Sequence, residues 1–261
     1  MITRRRASTA AVAAVALSAL ACAPVAEANP SRAGTPAHRG TPTSTRPIVA
    51  LTFDDGPSAL TPQVLRVLAK HNVKATFFMQ GSHVAANPAL ARRVAREGHT
   101  IGNHSYSHPN FTSLTPEQAD TEITSTNAVI QSVTGVKPVL FRYPFGVETD
   151  SGNAVIRREQ MWGGVMWHWA TSDPGDFECP GRRGVVEYVV GNAVDQALIL
   201  LHDGNDVLDC GARQVRFLDA AVTKLKARGF RFGVVVPADG PSTVNDQSWV
   251  QVVEPTRATR R

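Results

Sequence analysis

The chain is poor in cysteine, with only Cys22, Cys179 and Cys210 among its 261 residues. That is too few for a scaffold built on disulfides. It has no apolar run long enough to cross a membrane: Ala10 to Ala21 is too short and too rich in alanine. There is no Gly-x-Ser-x-Gly elbow, which weighs against a serine hydrolase. There is no Gly-x-Gly-x-x-Gly and no phosphate loop, so nothing points to a nucleotide. No internal repeat is visible. The body of the chain also lacks an excess of either charge, despite a net charge of +5. Nine of the 27 Lys and Arg are Arg4, Arg5, Arg6, Arg32, Arg39, Arg46, Arg257, Arg260 and Arg261, near the two ends. Residues 47–240 keep 18 basic residues against 19 acidic ones, all of the 22 acids except Glu27, Asp246 and Glu254. A near-neutral core carries no electrostatic footprint for nucleic acid.

What is present is ordinary globular composition, 43% hydrophobic and 19% charged, in a length that suits one sizeable core. The first 28 residues have the plan of a secretory signal peptide: Arg4 to Arg6, the short apolar run, and a small-x-small site at Ala26-Glu27-Ala28. A secreted, extracellular protein starting near Asn29 is expected. An uncleaved anchor, or a lipoprotein anchored through Cys22, are the alternatives. Loss of Cys22 leaves Cys179 and Cys210, an even count that favours a disulfide in an exported chain. Residues 29–46 are rich in Pro, Thr, Ser and Gly and read as a flexible linker.

From Ile48 the pattern alternates. Strands are expected at Ile48–Phe53, Ala75–Met79, Thr100–Asn103, Val139–Arg142, Val165–Trp169, Ala197–Leu201 and Arg231–Val236. Helices are expected between them: one opening at Thr61-Pro62, with Thr61 as its cap; Pro88 to Glu97; one opened by the capping box Thr115-Pro116-Glu117-Gln118 and running to about Val133; Asn153 to Gln160; Val185 to Asn192; and Ala212 to Arg228. Alternating strands and helices mean a parallel sheet. The length suits an α/β fold in a single domain over 47–240, a distorted or incomplete (β/α) barrel of seven to eight units, with an open doubly wound sheet as the alternative. Residues 241–261 read as a polar tail.

In such folds the chemistry collects just past the C-terminal ends of strands. Asp54 and Asp55, His104 and His108, Arg142, Asp173 and Asp176, and His202 and Asp203 all fall there. Adjacent carboxylates at Asp54-Asp55 repel unless a cation relieves them, and one can then ligate while the other serves as a base. The bland reading is a solvated Asp-Asp-Gly-Pro turn. His104 and His108, four apart, share a face if the segment makes a helical turn, the spacing by which zinc sites take two imidazoles. With Asp55 they make a two-histidine, one-carboxylate set that leaves positions open. His202, ending a buried strand, suits a general acid or base. His71, His83, His99 and His168 have no such arrangement and read as structural or surface residues.

These residues resemble the NodB-homology polysaccharide deacetylases, carbohydrate esterase family 4, over about residues 47 to 236. The resemblance rests on Thr52-Phe53-Asp54-Asp55-Gly56, His104-Ser105-Tyr106-Ser107-His108, Arg142-Tyr143-Pro144-Phe145, Asp173-Pro174-Gly175-Asp176-Phe177 and Leu200-Leu201-His202, in that order. It implies a distorted β/α barrel with Zn²⁺, or Co²⁺ or Ni²⁺, held by Asp55, His104 and His108. It implies Asp54 as general base held by Arg142, His202 as general acid oriented by Asp176, and Leu200 lining the acetyl pocket. The Phe145 N–H would contact the oxyanion. Phe145 stands where the family often has Tyr, and Phe177, at the sugar-stacking surface, where it often has Trp. The implied reaction releases acetate from N-acetylated polysaccharide, such as chitin, its oligomers or peptidoglycan. O-deacetylation of acetylated xylan is the alternative, and an inactive glycan-binding protein a further one. A monomer is expected, with a glycan as its partner, no nucleic acid and no stable membrane span. A disulfide between Cys179 and Cys210 would tie the loops of Asp176 and His202.

Overall fold

Strand β1 (Ile48–Asp54) is the axis of the fold, and all seven of its residues are buried. Both faces of a strand in a parallel barrel are covered, so it reads as a continuous apolar run. The two faces meet different surroundings. Val49, Leu51 and Phe53 pack outward into the larger hydrophobic cluster, against helices. Ile48 and Ala50 point inward with Phe78, Leu140, Val165, Leu198 and Val235. Thr52 and Asp54 continue that inner row by the two-residue period of a strand, which carries the Asp54 carboxylate into the barrel mouth.

The computed structural model describes residues 46–169, 171, 173, 175–204, 215–238 and 250–255. Strand β1 pairs in parallel with β2 (Thr76–Met79), β4 (Leu198–His202) and β5 (Arg231–Pro237), and β2 pairs with β3 (Thr100–Asn103). Helix α1 (Thr61–Lys70) follows β1, and α2 (Gly81–Ala86) and α3 (Pro88–Arg96) follow β2. Helices α4 (Pro116–Thr134), α5 (Asp150–Arg158) and α6 (Gly181–Gly191) lie between β3 and β4, and α7 (Val215–Ala227) precedes β5. No helix among the described residues is long and apolar enough to cross a membrane. The expected leader, residues 1–28, and the expected linker, residues 29–46, lie outside the described residues except for Arg46.

The expected fourth and fifth strands do not form as such. Residues 139–142 make only the isolated bridges Asn103–Phe141 and Leu140–Trp162, and 165–169 is irregular. The Arg142 side chain is bonded into this stretch: its Nε donates to the Val165 carbonyl at 2.8 Å and its Nη2 to the Met166 carbonyl at 3.2 Å. Single hydrogen bonds still carry the ring round. Arg142 N–H reaches the Asn103 carbonyl, Val165 N–H the Phe141 carbonyl, and His168 N–H the Leu198 carbonyl of β4. The result is a distorted barrel, as expected.

Three further expectations are corrected. Thr61 does not cap α1: Leu60 is the N-cap residue, and the Thr61 hydroxyl instead accepts from Ser58 N–H and donates to Asp203. Helix α2, six residues long, was hidden by its brevity. The tail is not wholly apart from the sheet, because Val250–Val253 forms β6, antiparallel to β5, with Val250 and Val252 buried. The capping box forms as read: Thr115 accepts from Gln118 N–H, and the Gln118 side chain accepts from Thr115 N–H. Helix α4 ends on Gly135 at φ 76°. Replacing Thr115 by Ala is expected to cost about 1 kcal/mol, read as a lower denaturation midpoint at unchanged slope.

Candidate functional site

Asp55 follows β1 at φ 70°, in the left-handed region that a non-glycine residue occupies only when its surroundings demand it. Both of its carboxylate oxygens are buried and accept no hydrogen bond. Its Oδ1 stands 3.4 Å from His104 Nε2 and 3.4 Å from His108 Nε2. In a tetrahedral site with zinc–ligand bonds of ~2.0–2.1 Å, neighbouring donor atoms are separated by roughly 3.3 Å. A carboxylate buried without a hydrogen bond and two imidazoles at that spacing therefore fit a divalent cation. Burial pushes the Asp55 carboxyl up, against the pull of His202 and His108. A cation there removes that penalty. Burial pushes both His104 and His108 down, so each stays neutral and keeps a lone pair to offer. The His104 tautomer is set by its partner: Nδ1 lies 2.8 Å from the Arg142 carbonyl, which can only accept, so Nε2 is the unprotonated nitrogen facing Asp55.

The two histidines converge without a helical turn. Ser105 and His108 both lie at positive φ, 64° and 59°. The strain is held by hydrogen bonds from every side. Asn103 Oδ1 accepts from Ser105 N–H, and Ser105 Oγ accepts from His108 N–H. The carbonyls of Ser105 and Tyr106 accept from the first N–H groups of α2. The Glu122 carboxylate, on α4, accepts from Tyr106 N–H at 2.7 Å, Ser107 N–H at 2.8 Å and the Ser107 hydroxyl at 2.6 Å. Ile123 and Asn127 on the same helix accept from Asn103. Helix α4 is thus a rail on which the two-histidine loop is cast.

Asp54 is buried beside Asp55. Its Oδ1 accepts from Arg142 Nη1 at 2.8 Å, which leaves Oδ2 toward the cavity, 3.6 Å from His104 Nε2. Arg142 is itself fully buried, donates also to Thr52 Oγ1, and lies 4.1 Å from the Phe78 ring centre. Across the cavity, His202 ends β4. Asp176, in a 3-10 turn at Asp176–Glu178, accepts from both the ring and the backbone of His202, at 2.8 and 2.7 Å. Burial alone would lower the His202 pKa, but the charge and hydrogen bond of Asp176, with Asp55 and Asp54 adding, raise it to about 9.

These groups share one cavity of about 560 Å³, lined also by Leu200, Phe145 and Phe177. Phe145 sits at φ 57° in the turn after Arg142, its ring 4.7 Å from His108. Every candidate site residue except the two cysteines lines the cavity or bonds directly to one that does. Cys179 follows the Asp176 turn, while Cys210 lies outside the described residues. Asp173, one of the rim acids, is not among the lining residues. Three positions that support the geometry of the site were given no role. Glu122 carries no motif. His83, set aside as structural or surface, donates from Nδ1 to the Asp55 carbonyl at 2.6 Å and so supports the strained turn. Asp203, named at the rim but given no role, is wholly buried. Burial pushes its carboxyl up to about 7, and it lies where a Cβ on residue 56 would fall, which requires Gly56. His99 is a satisfied core histidine as read, its Nδ1 accepting from Ala75 N–H and its pKa lowered by burial to about 3.

A family model described as polysaccharide deacetylase matches residues 41–161. A peptidoglycan-N-acetylglucosamine deacetylase of Bacillus cereus is 38% identical over 192 residues, covering 72% of this chain and 86% of that protein. A chitooligosaccharide deacetylase of Rhizobium leguminosarum bv. trifolii is 38% identical over 192 residues, covering 70% and 87%. The peptidoglycan-N-acetylglucosamine deacetylase PgdA of Listeria monocytogenes is 36% identical over 185 residues, and the match spans 70% of this chain but 37% of that longer protein. The solved structure of the peptidoglycan deacetylase PdaC from Bacillus subtilis superposes with a TM-score of 0.63 at 33% identity, covering 73% of this chain and 88% of that one.

The Glu122 clamp has a measurable consequence. Glu122→Ala is expected to weaken Zn²⁺ binding roughly 10–100-fold, read by competition with a chromophoric chelator. Activity should return at saturating metal, which a folding defect would not allow.

Proposed function

The chain belongs to the polysaccharide deacetylase family, and from that premise we propose that it hydrolyses the N-acetyl group of N-acetylglucosamine units in a glycan, releasing acetate. The observation that carries the proposal is the Asp55 carboxylate, buried without a hydrogen bond between two imidazoles, with an Arg142-paired carboxylate beside it and a histidine bonded to Asp176 across the same cavity. Relatives that are named peptidoglycan and chitooligosaccharide deacetylases support the substrate class.

The roles follow from position. Asp55, His104 and His108 would hold the cation, for which Zn²⁺ suits the N/O donor set, with Co²⁺ and Ni²⁺ as substitutes. Bound there, it would act as a Lewis acid on the amide carbonyl and make water more acidic. Asp54 takes the proton of the attacking water through Oδ2. Arg142 holds its Oδ1 in place. The Phe145 N–H, presented by the left-handed turn, stabilises the developing oxyanion. Leu200 packs on the acetyl methyl group. His202 gives its proton to the departing nitrogen, since an amide anion is a very poor leaving group. Asp176 keeps that proton on His202 and fixes the ring. The Cys179–Cys210 disulfide is part of the same proposal. So is export from the cell, on the strength of the leader-like first 28 residues.

The test is acetate release from N-acetylglucosamine oligomers and, in parallel, from acetylated xylan, each with added Zn²⁺ and after chelation. Metal-dependent release from the oligomers is expected. Release from xylan alone would replace the amidase with an esterase, and release from neither, with metal bound, would return the inactive glycan-binding protein. The pH profile gives a second check. A general acid works while protonated, so activity falls as pH rises through the His202 pKa. Asp176→Asn removes the largest raising influence, and the alkaline limb of kcat/KM should move to lower pH.

A further inference from the structure

Among the described residues only four large hydrophobic side chains are exposed: Val139, Phe145, Trp169 and Val194. Scattered exposed aliphatic residues are ordinary on a protein surface. The two aromatic ones are not scattered, because Phe145 lines the reaction cavity and Trp169 packs on Phe177, which also lines it. Phe145, 63% exposed, edges onto the metal-side histidine His108. Trp169, 45% exposed, lies behind the acid-side histidine and one ring farther out. Its ring centre is 6.3 Å from that of Phe177, and Phe177 is 5.7 Å from His202. Trp169 does not line the cavity, while Phe177 does. The buried Tyr188 ring backs the indole at 5.4 Å, and the N–H of the preceding residue, His168, is bonded to the Leu198 carbonyl of β4. The indole is therefore packed against two rings and still about half exposed.

Building on the deacetylase reading, we propose that Trp169 is a sugar-binding platform outside the reaction cavity, on which the ring next to the one being deacetylated stacks. A pyranose with equatorial substituents presents an apolar C–H face, and a rigid, half-exposed indole suits it at low entropic cost. With its ring centre 6.3 Å from that of Phe177, the indole lies within reach of a sugar adjoining the one held at Phe177. The site then prefers internal units of a glycan of several sugars over a free monosaccharide. Trp169 acts on specificity and takes no part in proton transfer. Binding energy gained there, remote from the reacting amide, is available to orient it.

The test compares wild type, Trp169→Ala and Trp169→Phe on N-acetylglucosamine oligomers of two to six units and on a small aryl acetate that reaches only the cavity. Wild-type kcat/KM should rise with chain length. Trp169→Ala should lose about tenfold on the hexamer, keep its rate on the aryl acetate, and be partly restored in Trp169→Phe. Equal losses on every substrate would mean that Trp169 merely supports Phe177 and His202, and an unchanged length dependence would remove the platform altogether. Calorimetry of hexamer binding to Asp54→Asn, with and without Trp169→Ala, separates this proposal from the deacetylase reading. Trp169-dependent binding without acetate release from any oligomer would keep the platform and overturn the reaction. Acetate release with Trp169-independent binding would do the reverse.

Discussion

The structure is organised around one buried charge, the Arg142 guanidinium. An arginine taken out of water survives only if its donors are nearly all satisfied and its charge is matched. Asp54 supplies the charge, Thr52, Val165 and Met166 supply acceptors, and Phe78 supplies a ring face. Each of these contacts does two things. The bonds to Val165 and Met166 tie the irregular wall of the barrel to the same residue that places Asp54. The Arg142 backbone is equally committed: its N–H holds Asn103 and its carbonyl fixes the His104 tautomer. A single residue therefore joins the proposed base, a candidate ligand and the barrel wall.

Around that centre the backbone is strained where function collects. Asp55, Ser105, His108 and Phe145 all occupy positive φ without being glycine. Such conformations persist only where neighbours over-determine them, and the neighbours are visible. His83 supports the Asp55 carbonyl, Asn103 and Glu122 take the N–H groups of the two-histidine loop, and α2 covers its carbonyls. Much of the support comes from elements that lie outside every motif, α2 and α4 above all.

This division also explains what could be read from the sequence. The strand-end acids and histidines were legible because a parallel fold delivers its chemistry at strand ends, and because Asp54, Arg142, Asp176 and His202 sit in short motifs. The parallel sheet and the long helices were legible from periodicity. Residues 139–142 and 165–169 looked like strands because they are apolar, but local pattern does not reveal that the Arg142 side chain is bonded to the Val165 and Met166 carbonyls. Glu122 and His83 escaped because they act through backbone groups far away in sequence. Strand β6 escaped because four residues in a polar tail carry too little pattern. The convergence of His104 and His108 was right in outcome and wrong in geometry: spacing of four suggested a helical turn, and a left-handed turn does the work.

The three histidines of the site show how one residue type is set to two tasks. His104 and His108 lie where burial outweighs the nearby carboxylates, so both are driven neutral, the state in which imidazole can donate a lone pair. His202 is buried as well, yet Asp176 accepts from its ring and its backbone together, and the pKa rises instead to about 9. The difference lies in which partner each ring meets. His104 offers Nδ1 to a neutral carbonyl, which fixes a tautomer without favouring a charge. His202 offers Nδ1 to a carboxylate, which favours the cation. Environments that push like groups in opposite directions suit His104 and His108 to the ligand role and His202 to the acid role proposed for them, and the difference comes from the carbonyl of Arg142 at one side of the cavity and the carboxylate of Asp176 at the other.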